Sequence, residues 1–112
     1  MSWLLRDGDV LAAAEVAATP AQRVRGLLGR DEVRGAMVFP RTRSVHTVGM
    51  RFAIDVAFCD RELVVLATTT LPPWRLGLPR WGARTVIEAE AGAFERWGLR
   101  PGDHLELREV EG

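Results

Sequence analysis

The sequence has one cysteine, no lysine and no net charge. Cys59 stands alone among 112 residues, so the chain cannot form an internal disulfide or a cysteine-rich zinc site. All fifteen basic residues are arginines, and fifteen acidic residues balance them. We interpret the arginine bias first as the coding bias of a GC-rich genome and second as selection for anion binding. Because a surface that tracks phosphates normally leaves a protein clearly basic, the balanced charge predicts no nucleic-acid partner.

Long apolar runs are also missing. The best candidate, Val10 to Ala18, has about half of the roughly 18 residues that a membrane helix needs, and it contains Glu15. The start of the chain has no basic segment followed by a long apolar stretch, which is the pattern of a secretory leader. We therefore expect a cytoplasmic protein with no membrane span.

The length and composition indicate one globular domain over residues 1–112, since 47% of the residues are hydrophobic and 27% are charged. Short runs rich in Val, Phe and Thr alternate with turn signals, and Asp7-Gly8-Asp9 is typical of a hairpin turn. This pattern predicts a mainly β fold, a single-domain sandwich or barrel with about seven to nine strands. The predicted strands are Trp3–Arg6, Val10–Val16, Ala36–Phe39, Ser44–Val48, Phe52–Cys59, Leu63–Leu71, Thr85–Ala89 and Leu105–Val110.

Two short helices are predicted beside the strands. The first begins at Thr19, where Thr19, Pro20 and Gln22 have the spacing of a capping box, and it ends near Gly29. The second runs from Gly92 to Trp97 and is closed by Gly98.

Four blocks of sequence resemble a known family, the bacterial and archaeal domain of unknown function 192. The most specific block is Ser44–Phe58, in which a His-Thr pair precedes Met50 and an Ile-Asp-hydrophobic strand. The resemblance covers about Thr19 to Leu107 and implies a compact, mostly β domain with a sandwich or jelly-roll-like arrangement and no known biochemical activity, which we expect to be bacterial. The other three blocks are Arg23–Arg30, Val86–Gly92 and Gly98–Asp103.

Asp55 is the first candidate for a functional residue, because it interrupts the apolar strand Phe52–Cys59. A carboxylate in such a strand is costly to bury unless it is paired, so Asp55 needs a partner. We expect a structural role, with bonds to backbone amides or to His46 and Arg51. The alternative is a general acid or base, or a metal ligand.

His46 could pair with Asp55 as in a hydrolase, but no serine or cysteine nucleophile with a recognisable turn accompanies it. We favour a histidine that anchors a loop. A remote alternative is a copper site. Its ligands would be His46, Met50, Cys59 and His104, although their order in the sequence differs from that of the ligands in cupredoxin-like sandwiches.

The segment Pro72–Gly82 has too many prolines and glycines for a helix or a central strand, so it is predicted to be a surface loop. Its Trp74-Arg75 and Arg80-Trp81 pairs are residue types enriched at binding hot spots. We weigh an exposed binding loop against indoles that fold back and cover the end of the barrel, and we favour the second because exposing two tryptophans is costly.

Taken together, the residues predict a non-catalytic module that binds a small molecule or a protein partner. No metal and no cofactor are expected. A hydrolase-like enzyme that uses His46 and Asp55 is the alternative. The candidate binding residues are His46, Met50, Arg51, Asp55, Trp74, Arg75, Arg80 and Trp81.

Overall fold

Seven strands form one sheet in the computed structural model, which describes residues 2–17, 19, 21–22, 32–77 and 79–110. The order of the strands is β5-β4-β6-β3-β2-β1-β7. Every neighbouring pair is antiparallel except β2 and β3. The predicted mainly β class is confirmed. The elements are β1 Ser2–Arg6, β2 Asp9–Val16, β3 Ala36–Pro40, β4 Ile54–Cys59, β5 Val65–Leu71, β6 Thr85–Glu90, α1 Ala93–Trp97 and β7 Leu105–Glu109.

The sheet curls until its two edge strands, β5 and β7, meet at one end. Val64 and His104 form an isolated bridge there, and the Leu105 amide donates to the Leu63 carbonyl over 2.9 Å. The ladder does not continue along the described parts of β5 and β7. The fold is therefore a single curled sheet and not a closed barrel.

The predicted hairpin opens the chain. Asp7 and Gly8 both have positive φ, 52° and 83°, as tight hairpin turns require, and β1 pairs with β2 across them. The alanine run of β2 remains extended because it pairs with β1 on one side and with β3 on the other.

The sheet buries side chains on both faces. One core cluster contains Leu4, Val38 and Ile87, together with Phe94 of α1. The other contains Ile54 and neighbours from the loops. Because both faces of the sheet are covered at β4, all six residues of this strand are buried, including Asp55.

Two local predictions have different outcomes. The segment Ser44–Val48 is not a strand; it is a loop with a single bridge at His46, because it pairs with another loop instead of with the sheet. The capping box of the first helix is confirmed, since Thr19 and Gln22 exchange hydrogen bonds of 3.0 and 3.1 Å between backbone N–H and side-chain oxygen. The rest of that helix, to Gly29, lies outside the described residues.

The predicted end of the second helix is confirmed. Gly98 has φ 64° and its amide donates to the Glu95 carbonyl, which closes α1. Within the described ranges, no helix has the length and apolarity that a membrane crossing requires.

Candidate functional site

Asp55 holds the start of α1. Its side chain is 4% exposed, and its Oδ2 accepts the amides of Gly92 and Phe94 at 3.0 and 3.1 Å. Oδ1 accepts the Thr70 hydroxyl at 2.7 Å. Gly92, the N-cap residue, has no side chain to cap the helix, so the carboxylate on β4 satisfies these amides instead. The predicted bonding to backbone amides is confirmed, and it gives Asp55 a structural role.

A hollow of about 430 Å³ opens beside Asp55. His46 does not line it; His46 is exposed on a loop and forms a bridge with Leu76. Among the residues that the structure describes, His46 and Asp55 share no hydrogen bond, so the hydrolase pair is not assembled. The lining residues are Asp55, Thr68, Thr69, Thr70, Gly92, Phe94, Glu95 and Leu99.

The copper alternative is not assembled either. Cys59 and Met50 belong to different core clusters, while His104 pairs with Val64 at the edge of the sheet. Burial raises the pKa of the Cys59 thiol to about 12, with a smaller contribution from Asp60, so the thiol is protonated and a poor ligand. No three His, Cys, Asp or Glu side chains in the described ranges form a metal-binding group.

Two loops, residues 41–50 and the described residues of 72–84, pair with each other through their backbones; we call them the paired loops. Amides of both loops donate across the pair at 2.8 to 3.1 Å, and together these bonds fix the backbones of both loops. They join Thr42 to Arg84, Thr47 to Arg75, Trp74 to Thr47, Gly77 to Val45 and Arg80 to Arg43.

Thr47 is the central connection of the paired loops. It is fully buried, and its hydroxyl donates to the Pro72 carbonyl and accepts the Arg75 amide. Gly77 is required by the close approach, because a Cβ there would lie 2.6 Å from the Val45 carbonyl oxygen. The sequence shows Thr47 in the His-Thr pair, but this position alone did not predict its role in joining the loops.

Three large apolar side chains of the second loop are exposed to solvent: Trp74 at 68%, Leu76 at 79% and Trp81 at 91%. The prediction that both indoles fold back and cover the end of a barrel is therefore wrong. Backbone bonds already hold the loop, and Val45 and Met50 are among the side chains that fill the core beneath it, so the indoles are not needed for packing. Trp74 also has φ 62°, an unfavourable conformation for a bulky residue.

Exposed arginines lie on the same two loops as these apolar side chains, and the loops contain no acidic residue. Residues 33–54 and 63–87 together contain seven of the fifteen arginines and no aspartate or glutamate. The arginines on the paired loops make no ion pair with any described carboxylate. By contrast, four other arginines form ion pairs with acidic side chains: Arg6, Arg34, Arg96 and Arg108. The zero net charge therefore conceals two long segments that carry arginines and no acidic residue. Exposed arginines of the paired loops are Arg41, Arg43, Arg75, Arg80 and Arg84.

We call this surface the tryptophan face; it consists of Trp74, Leu76, Trp81 and the five exposed arginines just named. Arg80 is also positioned by the Phe58 ring, 6.0 Å from its guanidinium carbon. Of the residues predicted to bind, Met50 and Asp55 are buried. His46, Arg51, Trp74, Arg75, Arg80 and Trp81 lie exposed on or next to the paired loops.

Glu88 is a buried acid that sequence reasoning did not identify. It lies on β6 opposite Met37 and Val56 and is 5% exposed. Burial raises the pKa of its carboxyl to about 8. Its position between apolar residues of a strand is the same signal that identified Asp55.

Known proteins are similar to this chain in sequence or in fold. A UPF0127 protein of Pyrococcus horikoshii is 34% identical over 94% of this chain and 90% of its own. Another, of Pyrococcus furiosus, is 40% identical over 56% of this chain, and the match spans only 54% of that protein's length. These sequence relatives are archaeal, so they do not support the expected bacterial origin.

A crystal structure of a protein of unknown function from Novosphingobium aromaticivorans has the same fold, with a TM-score of 0.78 at 23% identity over 94% of this chain and 82% of that one. The profile of the domain of unknown function 192 family, described as an uncharacterised ACR, matches residues 4–107. The chain therefore belongs to that family.

Proposed function

We propose that this protein is a non-catalytic binding module whose binding surface is the tryptophan face, and that its partner is negatively charged. The observation that carries the proposal is the exposure of Trp74, Leu76 and Trp81 among arginines that no described carboxylate neutralises. Exposed apolar clusters are rare on monomers and mark interaction sites. Tryptophan and arginine are also the residues that most often dominate binding energies.

The backbone of the face is ordered before any partner arrives. The bonds around Thr47 and the close approach at Gly77 fix both loops. Because the loops lose little further freedom on binding, such preorganisation supports affinity. The strained φ of Trp74 supports the same role, since strain of this kind clusters at functional sites.

No comparable observation favours the hydrolase alternative. Both oxygens of Asp55 accept bonds from the protein itself, and His46 lies on another surface element. We place the module in the cytoplasm as part of the same proposal.

The test is calorimetric titration with two soluble anionic probes, poly-L-glutamate and a thymidine oligonucleotide, and co-sedimentation with anionic vesicles. The double variant Trp74→Ala/Trp81→Ala is compared with the parent protein, and Val10→Ala, at a residue 57% exposed elsewhere, is the control. We expect the parent protein to bind at least one probe saturably. The double variant should lose affinity by roughly tenfold or more, which is the effect of deleting one hot-spot residue. The melting temperatures of both variants should equal that of the parent. Failure of all three probes to bind would contradict the proposal, and so would an equal loss in the control.

A further inference from the structure

We propose that the partner of the tryptophan face is an anionic lipid surface, onto which the protein docks by inserting Trp74, Leu76 and Trp81 while the surrounding arginines contact headgroup phosphates. This inference rests on the proposed function and names its partner. It follows from the shape, the chemistry and the charge of the face.

The shape is that of a projection. Side chains exposed at 68%, 79% and 91% have few protein atoms around them, so they stand out from the surface and do not line a groove. A folded protein partner would need a matching cavity for each of them. A lipid interface deforms around projecting side chains and needs no preformed match.

The chemistry also distinguishes a lipid from a nucleic acid. Exposed indoles suit both partners, because they stack on bases and also favour the membrane interface. Leu76, the second most exposed of the three, has no ring to stack and no polar group to donate. A lipid interface accommodates all three side chains, since leucine and tryptophan together form the apolar side of interfacial segments.

The charge is arranged for a negatively charged plane. Arg43, Arg75 and Arg80 on the face are exposed and have no ion pair within the described part of the chain. All fifteen acidic residues lie outside segments 33–54 and 63–87. A protein docked through the paired loops would therefore present arginines and no carboxylate of these loops to the lipid. Each arginine near an anionic surface contributes roughly a fivefold gain in affinity.

The experiment is co-sedimentation of the full chain with phosphatidylcholine vesicles that contain or lack phosphatidylglycerol, together with tryptophan emission. We expect binding only with phosphatidylglycerol, a shift of emission to shorter wavelength, and release by salt. Leu76→Ala and Arg75→Gln should each weaken binding by roughly three- to tenfold. The matched controls Val10→Ala and Arg61→Gln, at exposed positions outside the face, should bind like the parent.

The remaining outcomes separate the two proposals. Binding of poly-L-glutamate without binding to either vesicle would overturn the lipid inference and leave the proposed function standing. Binding of the thymidine oligonucleotide that needs Trp74 and Trp81 but not Leu76 would also overturn it, in favour of a single-stranded nucleic acid. If the parent and Leu76→Ala bound anionic vesicles equally well, the claim that Leu76 inserts into the lipid would be overturned. Absence of binding to every probe would overturn both proposals.

Discussion

Replacing Glu88 with glutamine should change how the stability of this protein depends on pH. Glu88 lies in the interior between Met37 and Val56, and burial raises the pKa of its carboxyl from 4.5 to about 8. Glutamine has nearly the same shape and never ionises. The comparison therefore isolates the cost of charging this one buried group.

The sign and size follow from the pKa. Between pH 4.5 and about 8 the unfolded chain loses the Glu88 proton while the folded protein keeps it. The unfolded state then binds fewer protons, so the free energy of unfolding falls as pH rises, by about 1.4 kcal/mol per pH unit. Below this window Glu88 is protonated in both states, so its ionisation costs the folded protein no stability. Above about pH 8 it is ionised in both states, and the free energy of unfolding stops falling. Across the window the loss of stability is roughly 5 kcal/mol, which is large against typical domain stabilities.

The assay is urea unfolding of the parent and Glu88→Gln at several pH values from 5 to about 7.5, within the window that linkage defines. The free energy of unfolding of the parent should fall relative to the variant by roughly 3 kcal/mol over that range. Parallel curves for the two proteins would refute the reasoning, because they would show that Glu88 ionises alike in the folded and unfolded chains.

Four further substitutions and reactions test single contacts. Asp55→Asn should cost about 1–3 kcal/mol in urea unfolding because an amide cannot accept all three bonds to the carboxylate, and an unchanged midpoint would contradict its helix-capping role. Thr19→Ala should cost about 1 kcal/mol by the same measurement, or the capping box contributes nothing. The Cys59 thiol should react with Ellman's reagent only in denaturant, since it is buried and its pKa is raised to about 12; rapid reaction of folded protein would disprove this. Gly77→Ala should weaken binding at the tryptophan face by forcing the paired loops apart at Val45, and unaltered affinity with unaltered stability would argue against a fixed face.

Much of the fold could be predicted because its signals are local. The Asp7-Gly8 turn requires positive φ at both residues, and these residue types permit it. The apolar run ending at Cys59 predicted a buried strand, and β4 is buried throughout. Ser44–Val48 has the composition of a strand as well, but its partner is a loop distant in sequence. Local propensity carries no information about that pairing.

The candidate site was harder to predict because exposure depends on long-range contacts. The sequence shows that Trp74 and Trp81 lie in a loop, but only the pairing of that loop with residues 41–50 shows that the core closes without them. The segments without acidic residues are visible in the sequence. The pairing of one loop from each segment required the fold, and the zero net charge concealed the segments themselves. Asp55 was predictable because a carboxylate inside an apolar strand must find donors.

The central claim, that the tryptophan face is a surface for a negatively charged partner, is tested most directly by measuring binding and stability together in Trp74→Ala/Trp81→Ala. We predict that this variant melts at the same temperature as the parent, because both indoles are exposed, and that it loses binding to whichever anionic probe the parent protein binds, whether poly-L-glutamate, the thymidine oligonucleotide or anionic vesicles. A variant that binds as well as the parent would contradict the claim. So would a variant that unfolds at a clearly lower temperature, since the indoles would then serve the fold instead of a partner.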